Sequence, residues 1–370
     1  MSGKINKALL PFSWLYGLGV WVRNKLFDWK ILPVETFDVP VISVGNLAAG
    51  GTGKTPHTEY LIRLLSRRYR VAVLSRGYKR KTRGFILAGK HADSRSIGDE
   101  PYQMYRKFPE ITVAVDSNRR RGIRNLLNCP EIQRPEVILL DDAFQHRYVK
   151  PSLSILLTDS RRPFYEDYLL PAGRLREPAG NAGRADIVIF TKCNSQLRIT
   201  NYELRNNSQF SILNSQFIYR GLLPVFPERS SAQKENMERL KKESCSFLLL
   251  AGLAHPEDLI QYLEKYTSCL QTMIYPDHHD FSRKDILEIT ENFNKIQNKN
   301  KLIITSEKDA VRLMHNPHIR EGIKGLIYYV PVETVFEPEQ EKLFIQKIEN
   351  HVTDFTGNRI MAEATDTRRH

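Results

Sequence analysis

The chain has 370 residues, 41% of them apolar, with a formal net charge of +13 and a pI near 9.5. This length allows two domains with sizeable cores, and the apolar share excludes disorder as the default. A strongly cationic chain favours anionic partners: nucleic acid, an anionic membrane face or phosphorylated substrates. The cysteines, Cys129, Cys193, Cys245 and Cys269, are scattered with no Cys-x-x-Cys. That spacing argues against a zinc site and a disulfide framework and fits a reducing cytosol.

Residues 8–22 are almost wholly apolar and include Trp14, Tyr16 and Trp21. Lys4 and Lys7 precede them; Arg23, Lys25 and Lys30 follow. The run is shorter than the ~20 residues a transmembrane helix needs. Arg23-Asn24-Lys25 is the wrong sequel for a signal-peptide cleavage site. Aromatics ringed by cations predict a helix lying in the membrane interface, with a buried core helix as the rival.

Val41-Ile42-Ser43-Val44 reads as a strand, and it enters a glycine-rich turn. Ala48-Ala49-Gly50-Gly51-Thr52-Gly53-Lys54-Thr55 follows, and a helix opens after Thr55. This is the setting of a phosphate-binding loop, in which backbone N–H groups and a helix N-terminus face one anion. Lys54 would reach the β- and γ-phosphates, and the Thr55 hydroxyl would hold Mg²⁺. The first glycine of the pattern G-x-x-x-x-G-K-[ST] falls on Ala48, so Gly50 and Gly51 supply the flexibility.

Residues 57–68 read as a helix with Tyr60, Leu61, Leu64 and Leu65 on one face. Residues 71–74 are a short strand running into the basic segment Ser75-Arg76-Gly77-Tyr78-Lys79-Arg80-Lys81, either a ligand loop or a solvated charge run. Gly98-Asp99-Glu100-Pro101, taken alone, is an N-cap with favourable first-turn charge. Residues 111–115 form a strand, then Asp116 and Arg119, Arg120, Arg121 and Arg124, which either meet phosphate or solvate a helix. Val137-Ile138-Leu139-Leu140-Asp141-Asp142 reads as a central parallel strand. It delivers carboxylates to its C-terminal edge, where the Mg²⁺ of a loop-bound nucleotide sits. Phe144-Gln145-His146 follows.

Residues 154–159 are a further strand, and Leu169-Leu170-Pro171-Ala172-Gly173-Arg174-Leu175-Arg176-Glu177-Pro178 a structured loop. Residues 187–190 end in Thr191-Lys192-Cys193, without the Asn-Lys-x-Asp that reads guanine. Strands alternating with helical stretches predict a mostly parallel α/β sheet over residues 40–195. A polar stretch near 205–240 reads as a linker. Beyond it the apolar runs at 247–251, 302–306 and 326–332 predict a second α/β domain, and the chain after Asn350 reads as a loose polar tail. In Tyr275-Pro276-Asp277-His278-His279-Asp280-Phe281, adjacent Asp and His could orient an imidazole, hold a metal or simply turn the chain.

These stretches together resemble the tetraacyldisaccharide 4′-kinase family, the lipid A 4′-kinases of Gram-negative bacteria. The resemblance rests on Ser43-Val44-Gly45-Asn46 with Gly50-Gly51-Thr52-Gly53-Lys54-Thr55-Pro56, Leu74-Ser75-Arg76-Gly77-Tyr78, Gly98-Asp99-Glu100-Pro101 and Asp141-Asp142-Ala143-Phe144-Gln145-His146. It continues through residues 170–178, Pro276-Asp277-His278 and Thr305-Ser306-Glu307-Lys308-Asp309. Ala143 departs from the expected Gly.

The resemblance implies ATP and Mg²⁺ as cofactors and a lipid-linked acylated disaccharide phosphate as substrate. It implies a peripheral or monotopic enzyme on the cytoplasmic face of the bacterial inner membrane. The cationic charge points to an anionic membrane surface, the absence of a helix-turn-helix or an aromatic-basic RNA motif speaks against a nucleic-acid partner, and a monomer is expected. It implies Asp99 as the base, with His278 from the second domain completing the pair on domain closure. Glu100 is expected to help Thr55, Asp141 and Asp142 hold Mg²⁺, and Arg76, Arg119 and Arg174 to grip phosphates.

The expected fold class is α/β. A P-loop NTPase-like, mostly parallel sheet domain spans residues 31–225, and a second, smaller α/β domain spans 226–350. An N-terminal membrane-associated helix lies in 1–30 and a polar tail in 351–370. The alternative function is a P-loop ATPase or kinase acting on a non-lipid partner.

Overall fold

The computed structural model describes residues 5–193, 210–230, 234–253 and 255–366. Lys4, part of the 205–240 stretch and the last four residues of the tail lie outside them. The strands in chain order are β1 (Val41–Asn46), β2 (Val71–Ser75), β3 (Ile86–Leu87), β4 (Thr112–Val115), β5 (Val137–Asp141), β6 (Leu153–Asp159) and β7 (Ile187–Thr191). They continue with β8 (Ser211–Tyr219), β9 (Leu223–Pro224), β10 (Ser246–Ala251), β11 (Leu270–Ile274), β12 (Lys301–Ser306), β13 (Ile327–Val330) and β14 (Val332–Phe336). Two helices matter most for the site, α1 (Leu10–Asp28) and α2 (Lys54–Leu65).

The chain divides into two compact units. The first comprises residues 1–92, 104–217 and 334–370. Among the described residues its strands form a nine-stranded sheet in the order β14-β8-β7-β6-β1-β5-β2-β4-β3. The pairs around β1, from β4 through β8, are parallel, and β3 joins β4 antiparallel. Both faces are covered, so the central strands are buried along their whole length. The period of two sorts them: Ile42 and Val44 pack with Leu61, Ile62 and Leu65 of α2, whereas Val41 packs with Leu74, Ile123 and Leu126 on the other face. The C-terminal strand ends deliver Asn46, Ser75, Asp141, Asp159 and Thr191 to one edge.

The second unit comprises residues 93–103 and 218–333. Its sheet runs β11-β10-β12-β13-β9, parallel except for β9. Leu248 and Leu250 face a core with Ile286, Ile289 and Phe293, and Phe247 and Leu249 face one with Leu259 and Leu263.

This division differs from the boundaries read from composition. The expected break at 225/226 lies at 217/218, because β8 occupies part of the expected linker and pairs with β7. The expected end of the smaller domain and its tail form the helix Pro338–Asp366, which belongs to the first unit. Phe344, Ile348 and Val352, spaced by four, share one helix face and enter the core beside Ile62. Residues 93–103 join the second unit although they lie inside the expected first domain.

Helix α1 is inverted relative to a core helix. Phe12, Trp14, Leu15, Leu18, Trp21 and Val22 are exposed, and the buried residues are Ser13, Asn24 and Phe27. The buried-core reading of residues 8–22 therefore fails. No helix among the described residues is long and apolar enough to cross a membrane.

Candidate active site

The phosphate loop forms where the glycines allow it. Gly50 has φ +116° and Gly53 φ +83°, in the left-handed region that side chains disfavour. A Cβ on Gly53 would also stand 2.1 Å from the Phe217 ring. Asn46 Nδ2 donates to Thr52 Oγ1 at 2.8 Å, tying the end of β1 to the loop. His57 Nδ1 lies 2.7 Å from Gly53 O. A carbonyl only accepts, so Nδ1 carries the proton, and Nε2 accepts from the Ser215 hydroxyl at 2.9 Å. Ala48, the departure from the glycine pattern, is buried and bridges to Leu175.

Two acidic residues stand at the end of β5. Ser75 Oγ donates to Asp141 Oδ2 at 3.3 Å. Asp142 turns out of the strand with φ +47°. Its Oδ1 is 3.7 Å from Lys54 Nζ, and Arg176 Nη1 donates to its two oxygens at 3.1 and 3.2 Å. Burial pulls the Asp142 carboxyl up, but Lys54 and Arg176 outweigh it and hold it below its ordinary value.

The phosphate-gripping expectations divide. Arg119 is buried and donates to Asp116 O at 2.9 Å and Asp141 O at 3.3 Å. Burial pushes it down to about 10, against the pull of Asp141 and Asp142. Arg76 is exposed. Arg174 is turned to Asp167, with Nε donating at 3.0 Å, and it is the neighbouring Arg176 that reaches Asp142.

Sequence reasoning missed Lys192. It donates to Gly51 O at 2.8 Å and to Asp159 Oδ2 at 2.8 Å, bracing the loop from the end of β7. Its position directly after an apolar parallel strand was the available signal.

Thr55, Asp141 and Asp142 offer the hard oxygen donors that Mg²⁺ takes. Among the described residues no group of three or more His, Cys, Asp or Glu side chains could hold a metal alone. Such a site is ordinary for Mg²⁺, which is held through one or two carboxylates plus substrate phosphates and water. The residues present fit the ion.

A separate cluster lies wholly in the second unit. Gly98, with φ +94°, breaks the chain before the helix Asp99–Lys107, whose first turn presents Asp99 and Glu100. His278 Nδ1 stands 3.2 Å from Asp99 Oδ2. Arg312 donates to the same oxygen through Nε at 3.1 Å and through Nη2. Lys308 Nζ lies 2.8 Å from His278 Nε2, 3.1 Å from Asp277 Oδ1 and 3.6 Å from Glu100 Oε1. With its ring proton on Nδ1 the imidazole donates to Asp99 and accepts from Lys308 at Nε2; with the proton on Nε2 it accepts at Nδ1 from Arg312 Nη2, 2.7 Å away. Burial raises the Asp99 carboxyl, but hydrogen bonds from His278 and Arg312 hold it below the usual range.

The Asp99–His278 pair is thus formed inside one unit, correcting the expectation that it completes only on domain closure. Arg312 had no visible signal, since nothing local ties residue 312 to residue 99. His279 is occupied elsewhere, 3.0 Å from Asp285 Oδ2 and stacked on Tyr275.

Comparison with known proteins agrees over nearly the whole chain. A family profile described as tetraacyldisaccharide-1-P 4′-kinase matches residues 5–352. A tetraacyldisaccharide 4′-kinase of Parabacteroides distasonis is 51% identical over 354 residues, covering 94% of this chain and 95% of that protein. The same-named protein of Bacteroides thetaiotaomicron is 49% identical, covering 97% of each. The crystal structure of LpxK from Aquifex aeolicus in complex with ATP superposes with a TM-score of 0.73 at 28% identity, covering 95% of this chain and 99% of that one.

Proposed function

Since the chain belongs to the tetraacyldisaccharide 4′-kinase family, we propose that its two side-chain clusters serve the two reactants, one the nucleotide and the other the sugar hydroxyl. The reaction is ATP-dependent transfer of a phosphoryl group to the 4′-hydroxyl of a tetraacyldisaccharide 1-phosphate, a step of lipid A synthesis. Such transfer depends on positioning and on stabilising charge.

Loop residues 48–55 cradle the phosphates, with Lys54 on the β/γ oxygens. Lys54 Nζ lies 3.7 Å from Asp142 Oδ1. Thr55, Asp142 and Asp141 would hold Mg²⁺ through their hard oxygen donors. When bound there, the ion would neutralise charge on the phosphates. Asp99 stays ionised and accepts the hydroxyl proton. His278 and Arg312 fix the direction of its carboxylate.

The exposed aromatics of α1 and the cations beside them support a reading in which this face lies on an anionic membrane surface. The cytoplasmic leaflet, with its anionic lipids, supplies such a surface.

What carries this reading is the loop itself: Gly53 breaks into α2 at the C-terminal end of a central parallel strand, and Lys54 meets a strand-end aspartate. The test is an assay of the full chain with ATP, Mg²⁺ and a tetraacyl disaccharide 1-phosphate. Bisphosphorylated lipid is the expected product. ATP hydrolysis with no lipid product would favour a non-lipid acceptor. Lys54→Ala is expected to lower kcat/KM by about 10²–10³. His278→Ala is expected to lower kcat far more than His279→Ala, because only His278 touches Asp99. The reverse ranking would remove His278 from the mechanism.

A further inference from the structure

Helix α1 faces inward with its polar residues. Ser13 is 2% exposed although Phe12 and Trp14 beside it are 62% and 74% exposed. Its hydroxyl donates to Leu169 O and accepts from Ala172 N–H, both at 2.9 Å. Tyr16 Oη donates to Arg176 O at 2.8 Å. The approach is close: a Cβ on Gly17 would stand 2.7 Å from Leu169 Cδ1.

The 169–177 segment held in this way is the outer wall of the phosphate loop. Ala49 N–H donates to Arg174 O at 2.7 Å, and Arg176 N–H donates to Leu47 O at 2.8 Å. The side chain of Arg176 reaches Asp142. A second path leaves the same helix. Arg23 Nη2 donates to Gln145 O at 2.8 Å, Gln145 Nε2 donates to Asn46 O at 2.7 Å, and Asn46 holds Thr52.

We propose that Ser13, Tyr16 and Arg23 are positioning residues for the phosphate loop, and that α1 couples a lipid surface on its outer face to nucleotide binding on its inner one. The physical case is the composition of the two faces. A helix serving only as an anchor has no need to bury a serine hydroxyl and satisfy both its donor and its acceptor. Here both are spent on the backbone of the segment that lines the loop. The hydrogen bonds end on main-chain groups, so they fix where Leu47 and Ala49 lie, and hence where the loop begins. The lipid half of the proposal rests on the membrane reading given above. Coupling of this kind is reciprocal: if vesicles tighten ATP binding, ATP tightens vesicle binding by the same factor.

The experiment measures the Kd of ATP on the full chain, with and without anionic phosphatidylglycerol vesicles, alongside vesicle flotation and the Tm. Tyr16→Phe removes one oxygen and keeps the ring, so it guards against misfolding. It is expected to raise the Kd of ATP a few-fold, and Ser13→Ala with Tyr16→Phe about tenfold, with flotation unchanged. Trp14→Ser with Trp21→Ser is expected to lose flotation and to keep the vesicle-free Kd of ATP. If the Ser13/Tyr16 variant binds ATP as the parent does, or loses only Tm, the positioning role is overturned. If the Trp14/Trp21 variant floats normally, the membrane reading falls, and the positioning role stands or falls on the first pair alone.

Discussion

His57 shows how one residue behind the phosphate loop sets a pH dependence. It is fully enclosed, and burial pushes its imidazole from 6.5 down to about 4, against a small upward pull from Gly53 O. The folded chain therefore holds His57 neutral where the unfolded chain would bind a proton. Between pH 6.5 and about 4 the unfolded state carries more protons, so stability falls as pH drops through that window. His146 adds to the effect with the same sign, pushed down to about 4 by burial and by Arg119, Arg23, Arg120 and Arg76. The expected outcome is a Tm at pH 5 clearly below that at pH 7.5. A His57→Asn variant, whose amide nitrogen can stand where Nδ1 stands, should lose part of that fall. Equal slopes for the parent and the variant would mean that His57 does not titrate with unfolding. Nothing in the sequence at Pro56-His57-Thr58 marks this residue, because its partner Ser215 lies far along the chain on a strand of mixed burial.

The element that decides the chemistry is the turn from β1 into α2, and it is also the element most legible from residues alone. A buried apolar run, three glycines and a Lys-Thr pair leave few alternatives, and the strands at 71–75, 137–141 and 187–191 were visible for the same reason: continuous burial gives continuous apolar runs. β8 was not visible, since only Leu213 and Ser215 of it are buried and it includes Asn214 and Gln216. The inner face of α1 was invisible for a related reason. A run of apolar residues announces a helix but does not say which side meets protein, and here the side meeting protein is polar. At the β1–α2 turn the structure makes a sharp demand on Gly53. Its φ of +83° disfavours any side chain, by about 1–2 kcal/mol, and a Cβ would meet the Phe217 ring at 2.1 Å. Gly53→Ala is expected to weaken ATP binding at least tenfold and to lower Tm by several degrees. Adding Phe217→Ala removes the clash but not the left-handed backbone, so it should recover part of the loss in ATP binding and not all of it. Full recovery would show the steric contact to be the whole effect.

At the scale of the whole molecule, the order of the chain and the order in space part company twice. Residues 93–103 leave the first unit to carry Asp99 to His278, and the helix Pro338–Asp366 returns to the first unit from the far end of the sequence. Composition could not report either, because each is a matter of what a short apolar stripe or a pair of acids finds to pack against. The returning helix gives a direct check. Phe344 is 2% exposed and Ile348 and Val352 are fully buried, in the same cluster as Ile42, Ile62 and Leu65 beneath the phosphate loop. Phe344 also lies 4.9 Å, centroid to centroid, from Phe336 on β14. The polar side of the helix makes hydrogen bonds and an ion pair as well, Tyr60 Oη donating to Glu341, Asn214 N–H to Gln340 and Arg68 to Glu349. If the helix merely lay on the surface, shortening Phe344 would cost nothing. With it in the core, Phe344→Ala should destabilise the first unit by about 3–5 kcal/mol, through lost burial and the cavity left behind. Glu341→Gln, which keeps an acceptor for Tyr60, should change stability by well under about 1 kcal/mol. Urea unfolding followed by a probe in the first unit separates the two, and a Phe344→Ala midpoint equal to the parent's would remove the helix Pro338–Asp366 from the core of the first unit.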